Sequence, residues 1–237
     1  MSKTFKSKGI VLKSLKYSET SLILDIYTRD KGLRSFIISG VRKAKAKQAN
    51  IFQAMNIIDL VAQDKQEKLA RIKESKLSVI YSSLNQEVLK SSIGIYYVDL
   101  FRAVVKEKES NPELFDFLET ALINLDQSHS ELALKPLVFG INMAKHLGFG
   151  WSNNFSEIDN CFDIQIGQFV PFSSNHQSSL NPELSKTLYE ILLQGSSVTV
   201  SKPVRTELMN ALIRYFSFHI EGFTELRSLK VLRAILA

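Results

Sequence analysis

The sequence predicts an α+β protein with an N-terminal five-stranded OB-fold barrel, followed by an all-helical domain with a small β-hairpin insertion. Three observations carry this prediction. Apolar residues recur with a period of two over the first eighty residues, and with helical periods of three and four from about residue 85. The helical period fails near residues 160–172. We therefore expect an OB-fold domain at 1–80 and a helical domain at 81–237 with the hairpin near 160–172.

The strand signal is clearest in the segment SLILDIYT, residues 21–28. Leu22, Leu24 and Ile26 alternate with Ile23, Asp25 and Tyr27, which is typical of a strand. Similar segments precede and follow it, and the sequence RDKG supplies turn residues between the second and third. Five short strands with no helical pattern among them favour a small barrel, for which the OB fold is the natural candidate. The other segments are KGIVLKSLK, LRSFIISG, NIIDLVAQ and LARIKESKLSVIY.

Six helices are expected after residue 85. Two of them begin with the sequence NPEL, in which Asn111 and Asn181 are suitable N-caps and a proline occupies the first helical position. Gly148 and Gly195 are expected to end the third and fourth helices. Between them, the segment CFDIQIGQFVPF is typical of a hairpin that turns at Gly167.

The positive charge of the chain is concentrated near its start. The net charge is +6, but residues 1–80 contain 17 Lys/Arg against 7 Asp/Glu. An excess of this size in one part of a chain predicts a polyanionic partner for that part. A basic loop in the sequence GVRKAKAKQ adds four cations without an acidic residue, at Arg42, Lys43, Lys45 and Lys47.

Motifs for catalysis, nucleotide binding and metal binding are missing from the sequence. The four histidines are scattered, the single cysteine, Cys161, has no evident base, and no glycine-rich phosphate loop occurs. We therefore predict a protein that is not an enzyme and has no cofactor and no metal. No signal peptide or apolar span is evident, which predicts a cytoplasmic protein without a membrane contact.

OB folds bind single strands through cations along the phosphates and aromatic rings against the bases. We expect the cations of the barrel and the basic loop to contact nucleic acid, and Tyr17 and Tyr27 to stack on bases. Phe36 and Phe52 are expected in the core instead. The predicted nucleic-acid-binding cations are Lys6, Lys8, Lys13, Arg34, Arg42, Lys43, Lys45, Lys47, Arg71 and Lys73.

Two other functions fit the same composition. An OB-fold RNA-binding or ribosome-associated protein would have the same electrostatics, because phosphate contacts dominate both kinds of binding. A metal-dependent nuclease or nucleotidyltransferase with an OB domain would instead require a divalent metal. The two acids on predicted strands, Asp25 and Asp59, have no evident partner for such a site.

The N-terminal segments GIVLKSLKYSETSLILDIYTRDKGL and SGVRKAKAKQANIFQAMNIIDL resemble the RecO family of bacterial recombination mediators. The resemblance rests on the order of several short motifs over residues 1–60 and on the C-terminal segment ELRSLKVLRAIL. The matching positions are Gly9–Leu12, Tyr17, Glu19, Thr28, Gly32 and Gly40–Lys43.

This resemblance implies a DNA repair protein that binds single- and double-stranded DNA and anneals complementary strands. It also implies binding to RecR and to the acidic C-terminal tail of single-strand-binding protein, and an indirect action on RecA. An acidic tail with an apolar end requires an apolar groove rimmed by cations. The helical-domain cations available for such a groove are Arg102, Lys106, Lys135, Lys145, Arg205 and Arg214.

One departure from the family pattern bears on metal binding. Many RecO proteins contain a four-cysteine zinc module, whereas the corresponding stretch here retains only Cys161, with His176 nearby. We expect the hairpin to have replaced the metal as the structural element of this region.

Overall fold

The structure is a computed structural model that describes residues 3–41, 49–65, 68–105, 108–172, 178–224 and 226–236. Five strands come first in the chain: β1 (Lys3–Lys16), β2 (Leu22–Thr28), β3 (Gly32–Ile38), β4 (Ile57–Lys65) and β5 (Lys68–Leu77). They form a closed barrel in the order β1-β2-β3-β5-β4. Only β3 and β5 pair in parallel, and β4 closes the barrel against the first half of β1. The predicted five-stranded OB-fold barrel is confirmed.

The barrel core consists of one face of each strand. Val11, Leu24 and Ile26 point inward from β1 and β2, and Phe36 and Phe52 are 0% and 1% exposed in the same cluster. The expectation that these two phenylalanines are core residues is therefore confirmed. A register shift between Val11 and Lys13 interrupts β1, which is the kind of irregularity that lets one strand pair with both β2 and β4.

A tight turn between β2 and β3 requires glycine at residue 32. Gly32 has a φ of +62°, and a Cβ there would lie 2.1 Å from the carbonyl oxygen of Glu109. Both the backbone conformation and the close contact exclude a side chain at this position.

The chain forms two compact units. The barrel unit comprises Met1–Glu87 and Val105–Gln127, and the helical unit comprises Val88–Val104 and Ser128–Ala237. Helix α2 (Pro112–Gln127) therefore packs with the barrel, although α1 (Val88–Val104) precedes it in sequence. The predicted division of the chain between residues 80 and 81 stays a prediction, because the compact units follow packing rather than one cut in the chain.

A buried carboxylate joins the segment after the barrel to α2. Asp126 accepts hydrogen bonds from the backbone N–H groups of Ser82, Ser83 and Leu84 at 2.7–3.0 Å, and from the Ser82 hydroxyl at 3.0 Å. Burial alone would raise the pKa of Asp126, but these hydrogen bonds together lower it to about 2. The segment 82–84 is thus fixed to α2 inside the barrel unit.

The helical unit contains α1, α3 (Lys135–His146), α4 (Pro182–Gln194), α5 (Lys202–His219) and α6 (Arg227–Ile235). The predicted N-caps are confirmed, since the side-chain oxygens of Asn181 and, in the barrel unit, Asn111 accept hydrogen bonds from the backbone of α4 and α2. Among the described residues, no helix is long and apolar enough to span a membrane.

The predicted hairpin is present as β6 (Cys161–Asp163) and β7 (Gln168–Val170). Its turn is held by Asp163, whose carboxylate accepts a hydrogen bond from the backbone of Gln165. Its open edge is covered by Asn154, which donates to the carbonyl oxygen of Phe169 and accepts from its N–H, at 2.8 and 3.0 Å. Cys161 is 2% exposed, as expected for a small buried residue, and burial raises the pKa of its thiol.

Candidate nucleic-acid interface

One side of the barrel is covered by α2. Ile10 pairs with Tyr27 in β2 and with Ile57 in β4 on the outer face of the barrel, yet these three residues are at most 1% exposed. The Tyr27 ring stacks on Phe115 of α2, with ring centroids 6.4 Å apart. This placement corrects the predicted base-stacking role of Tyr27, because protein covers both the ring and its surroundings.

The helix that covers this side is acidic. It contains Glu113, Asp116, Glu119 and Asp126 and has no lysine or arginine. Two of these acids form ion pairs with barrel cations. Lys8 Nζ lies 2.9 Å from a Glu119 carboxylate oxygen, and Arg29 forms a bidentate ion pair with Asp116 at 2.9 and 3.0 Å. Both cations of this face are therefore already paired with carboxylates and offer less attraction to a polyanion. The predicted phosphate contact of Lys8 would require breaking its ion pair.

Arg34, another predicted DNA-binding residue, also faces a carboxylate. One guanidinium nitrogen donates to both oxygens of Asp64, at 2.8 and 2.9 Å. By strand alternation Arg34 and Asp64 share the inward faces of Phe36 and Ala62. Their pair therefore lies on the interior side of the barrel wall, where it stabilises the fold.

The outer face of the barrel also carries an apolar strip, four residues along β2 from Tyr27. The register places Leu15 of β1 opposite Ile23 of β2, and Ile23 opposite Ile37 of β3. Leu15 is 47% exposed, and Ile23 and Ile37 are half-buried. Arg71 of β5 pairs with Ile37 and ends the strip on a cation. We call Leu15, Ile23, Ile37 and Arg71 the outer strip.

The outer strip was missed by the sequence analysis, which looked for cations and aromatic rings. The sequence does indicate it, because Leu15 and Ile23 are apolar residues at strand positions that alternate with the core positions and therefore point outward. Neighbouring strands lie about 4.8 Å apart, so the four residues span about 14 Å, the length of roughly four stacked nucleotides at about 3.4 Å each. Tyr17, 64% exposed in the turn after β1, lies two residues beyond Leu15.

The remaining predicted cations of the barrel are open to solvent or half-buried. Lys6, Arg71 and Lys73 are exposed and Lys13 is half-buried, and none forms an ion pair with another residue in the described part of the chain. Lys6 lines a groove of about 560 Å³ on β1, β4 and β5, which also contains two acids. Arg71 and Lys13 lie on the outer strip or beside it. Only these two combine positive charge with exposed apolar surface.

The basic loop with Arg42, Lys43, Lys45 and Lys47 lies outside the described residues. Its predicted phosphate contacts stay a prediction. The described residue before it, Val41, is buried in the barrel core, and the short 3₁₀ turn Ala49–Phe52 follows it.

The net charge of each compact unit differs from the charge counted by position in the sequence. The barrel unit contains 19 Lys/Arg and 14 Asp/Glu, a net charge of +5, because α2 and its preceding loop bring acids back to the barrel. The helical unit contains 11 Lys/Arg and 10 Asp/Glu. The net positive charge of the barrel unit is therefore smaller than that of residues 1–80 alone.

The helical unit contains a small groove between α5 and α6. Its floor is apolar, with Met209, Leu229 and Leu232, and its volume is about 210 Å³. Three cations lie at its rim: Lys202, Arg205 and Arg233. The two arginines donate to neutral oxygens, Arg205 to the carbonyl of Leu236 at 2.8 Å and Arg233 to the side chain of Asn210 at 2.5 Å. These bonds orient the guanidinium groups, and within the part of the chain that the structure describes neither arginine forms an ion pair with an acid.

In the residues that the structure describes, no three His, Cys, Asp or Glu side chains are placed to hold a metal ion. Asp25 accepts a hydrogen bond from Ser35, and Asp59 lies 3.7 Å from Lys76. His176 lies outside the described residues.

The fold defines a class: OB-fold proteins in which the barrel shares its chain with a helical unit. The chain matches the family Recombination protein O N terminal over residues 1–81 and Recombination protein O C terminal over residues 85–230. It therefore belongs to the RecO family, which acts in DNA repair and recombination.

Relatives of similar length share about a third of its residues. The DNA repair protein RecO of Flavobacterium psychrophilum is 32% identical over 97% of this chain and 98% of its own. The DNA repair proteins RecO of Flavobacterium johnsoniae and Christiangramia forsetii are 33% and 31% identical over the same shares.

Proposed function

We propose that this protein binds single- and double-stranded DNA through the outer strip, anneals complementary strands, and acts with RecR to help load RecA on DNA coated with single-strand-binding protein. The carrying observation is that the outer strip combines apolar side chains with the exposed Arg71, whereas the barrel cations beside α2, Lys8 and Arg29, are already paired with acids. The reaction needs no covalent chemistry, since phosphate neutralisation brings strands together and base pairing drives annealing. We place this activity in the cytoplasm, at the nucleoid.

The outer strip suits a flexible single strand. Arg71 and Lys13 offer charge to phosphates, and Leu15, Ile23 and Ile37 offer apolar surface to bases, with the ring of Tyr17 at one end. Contacts of this kind tolerate any base and depend strongly on salt. Each phosphate contact contributes about −0.7 to the slope of log affinity against log salt.

The test compares two double variants that remove the same net charge from the barrel, one on or beside the outer strip and one beside α2. Lys13→Ala/Arg71→Ala should make the slope for single-stranded DNA shallower by about 1.4. Lys8→Ala/Arg29→Ala is the matched control, because it removes two cations that already face Glu119 and Asp116. The control should keep the wild-type slope and the wild-type annealing rate, measured without nucleotide or metal.

Each outcome decides a different point. Equal slopes in the two variants would refute the assignment of the outer strip. No binding of DNA by the wild-type protein would refute the DNA proposal itself. Stronger binding of an RNA strand than of a DNA strand of the same sequence would favour the RNA-binding alternative. In the same assay, the fourfold alanine variant of the basic loop should lose about 2.8 from the slope if all four cations contact phosphate.

We further propose that the groove between α5 and α6 binds the C-terminal tail of single-strand-binding protein. The apolar floor fits the apolar end of such a tail, and the arginines at the rim fit its carboxylates. A synthetic peptide of this tail should bind the wild-type protein, and Lys202→Ala should weaken binding about tenfold or less because lysine offers a point charge only. Arg205→Ala should weaken it further. Arg214→Ala, an exposed change elsewhere on α5, is the control and should leave the affinity unchanged.

A further inference from the structure

Helix α6 presents a row of cations on its solvent side. Arg227, Lys230 and Arg233 are exposed and follow one another at intervals of three residues, and the helix contains no acidic residue. Leu229 and Leu232 occupy the other side and are 1% exposed. Residues three apart on a helix are surface neighbours, so the three cations form one continuous basic ridge. We call it the α6 ridge.

The ridge is fixed in position at its start. The Asp99 carboxylate of α1 accepts hydrogen bonds from the Ser228 hydroxyl at 2.7 Å and from the Ser228 N–H at 3.2 Å. This contact satisfies a backbone donor in the first turn of α6 and attaches the helix to α1. The cations are therefore carried by a rigid element of the helical unit.

The spacing of the ridge matches a nucleic-acid backbone. A helix rises 1.5 Å per residue, so Arg227 and Arg233 are about 9 Å apart along the axis. Successive phosphates of one strand are about 3.4 Å apart along a duplex axis, so the ridge faces about three of them. A membrane surface is a poorer fit, because Leu229 and Leu232 are buried and Val231, 56% exposed, is a small apolar surface to insert into lipid.

We propose that the α6 ridge is a second nucleic-acid site, which binds the sugar-phosphate backbone of a second strand while the barrel holds the first. The inference rests on the proposed function of the barrel. It gives annealing a physical basis, because one chain would hold two strands at once. The rate at which the two strands meet would then no longer depend on their concentration in solution alone. Backbone contacts at the ridge leave the bases of that strand free to pair.

The experiment uses the double variant Arg227→Ala/Lys230→Ala in the full chain. Arg233 is retained, because it also borders the groove between α5 and α6. The control is Lys145→Ala/Lys186→Ala, which removes two exposed cations from α3 and α4 of the same unit. Thermal unfolding of both variants would establish that they fold. Two labelled, non-complementary DNA strands then report, by energy transfer, how often one protein holds two strands, and the annealing rate is measured with complementary strands.

We expect the α6 variant to bind one strand with less than a twofold change in affinity. Energy transfer between the two strands should be lost, and the annealing rate should fall roughly tenfold near physiological salt, as expected for two lost phosphate contacts. The control should match the wild type. Energy transfer and annealing at wild-type levels in the α6 variant would overturn the inference while leaving the barrel proposal intact. Loss of tail-peptide binding without any change in two-strand binding would also overturn it, since the ridge would then serve an acidic peptide. Absence of single-strand binding in the wild type would overturn both proposals.

Discussion

Replacing Asp126 by Asn should destabilise the barrel unit in a way that depends on pH. The carboxylate accepts three backbone N–H bonds and is 7% exposed. An asparagine keeps one acceptor oxygen but turns an NH₂ group toward donors, so at least one buried N–H loses its partner. We expect a loss of about 2–4 kcal/mol in the free energy of unfolding at pH 7.

The sign of the pH dependence follows from the lowered pKa of about 2. An aspartate in an unfolded chain has a pKa near 3.9, so the stabilisation is fully present above that value and is lost as pH falls towards 2. The shift corresponds to about 2.6 kcal/mol at most, and partial solvation reduces it to about 1–2 kcal/mol. The difference between wild type and variant should therefore shrink between pH 5 and pH 2.5.

Hydrogen exchange with peptide-level resolution is the suitable assay, because the only tryptophan, Trp151, lies in the helical unit and fluorescence would report the other unit. The control is Asp116→Asn, which removes an exposed acid from the same helix and should cost about 0.5 kcal/mol or less. A difference between Asp126→Asn and wild type that stays constant from pH 7 to pH 2.5 would refute the reasoning, since the charge of the carboxylate would then contribute nothing.

Three further changes test the fold. Gly32→Ala should cost more than 2 kcal/mol by urea unfolding, because its Cβ would meet the backbone of Glu109 at a positive φ, and an unchanged midpoint would contradict the turn geometry. Asn154→Ala should cost about 1–3 kcal/mol in the free energy of unfolding, because it leaves the N–H and carbonyl of Phe169 unpaired. Asn154→Asp can accept but not donate, so its stability should lie between those of the wild type and Asn154→Ala. A chelator should not alter the melting temperature of either variant. Tyr27→Phe should keep wild-type affinity for single-stranded DNA, since the ring is buried. A loss of affinity without a loss of stability would show that Tyr27 contacts DNA after all.

The barrel was predictable because its strands carry their pattern locally. The alternation in residues 21–28 and the turn at residue 32 are properties of neighbouring residues, and the same holds for the N-caps at Asn111 and Asn181. The candidate interface was only partly predictable, because it depends on contacts between distant parts of the chain. Lys8 meets Glu119 across 111 residues of sequence, and no local pattern indicates that pairing.

Tyr27 is a second residue whose surroundings could not be predicted from the local sequence. Its position on β2 alternates away from the core, which correctly places it on the outer face of the barrel. Whether an outer residue meets solvent depends on what packs there, and here Phe115 of α2 does. The acidic composition of α2 was readable from the sequence, whereas its docking on the barrel was not.

The order of the chain has a consequence for how this protein is made and dissected. The barrel is complete as a set of strands by residue 77, but its cover, α2, is synthesised only after α1, which belongs to the other unit. During translation, about fifty residues follow the last strand before α2 is complete, and α2 carries the Phe115 ring that stacks on Tyr27. A gene fragment cut at residue 81, where the N-terminal family match ends, would encode the strands without this cover. Such a fragment should be prone to aggregation, and one that continues through residue 127 is the smaller piece to be tried first.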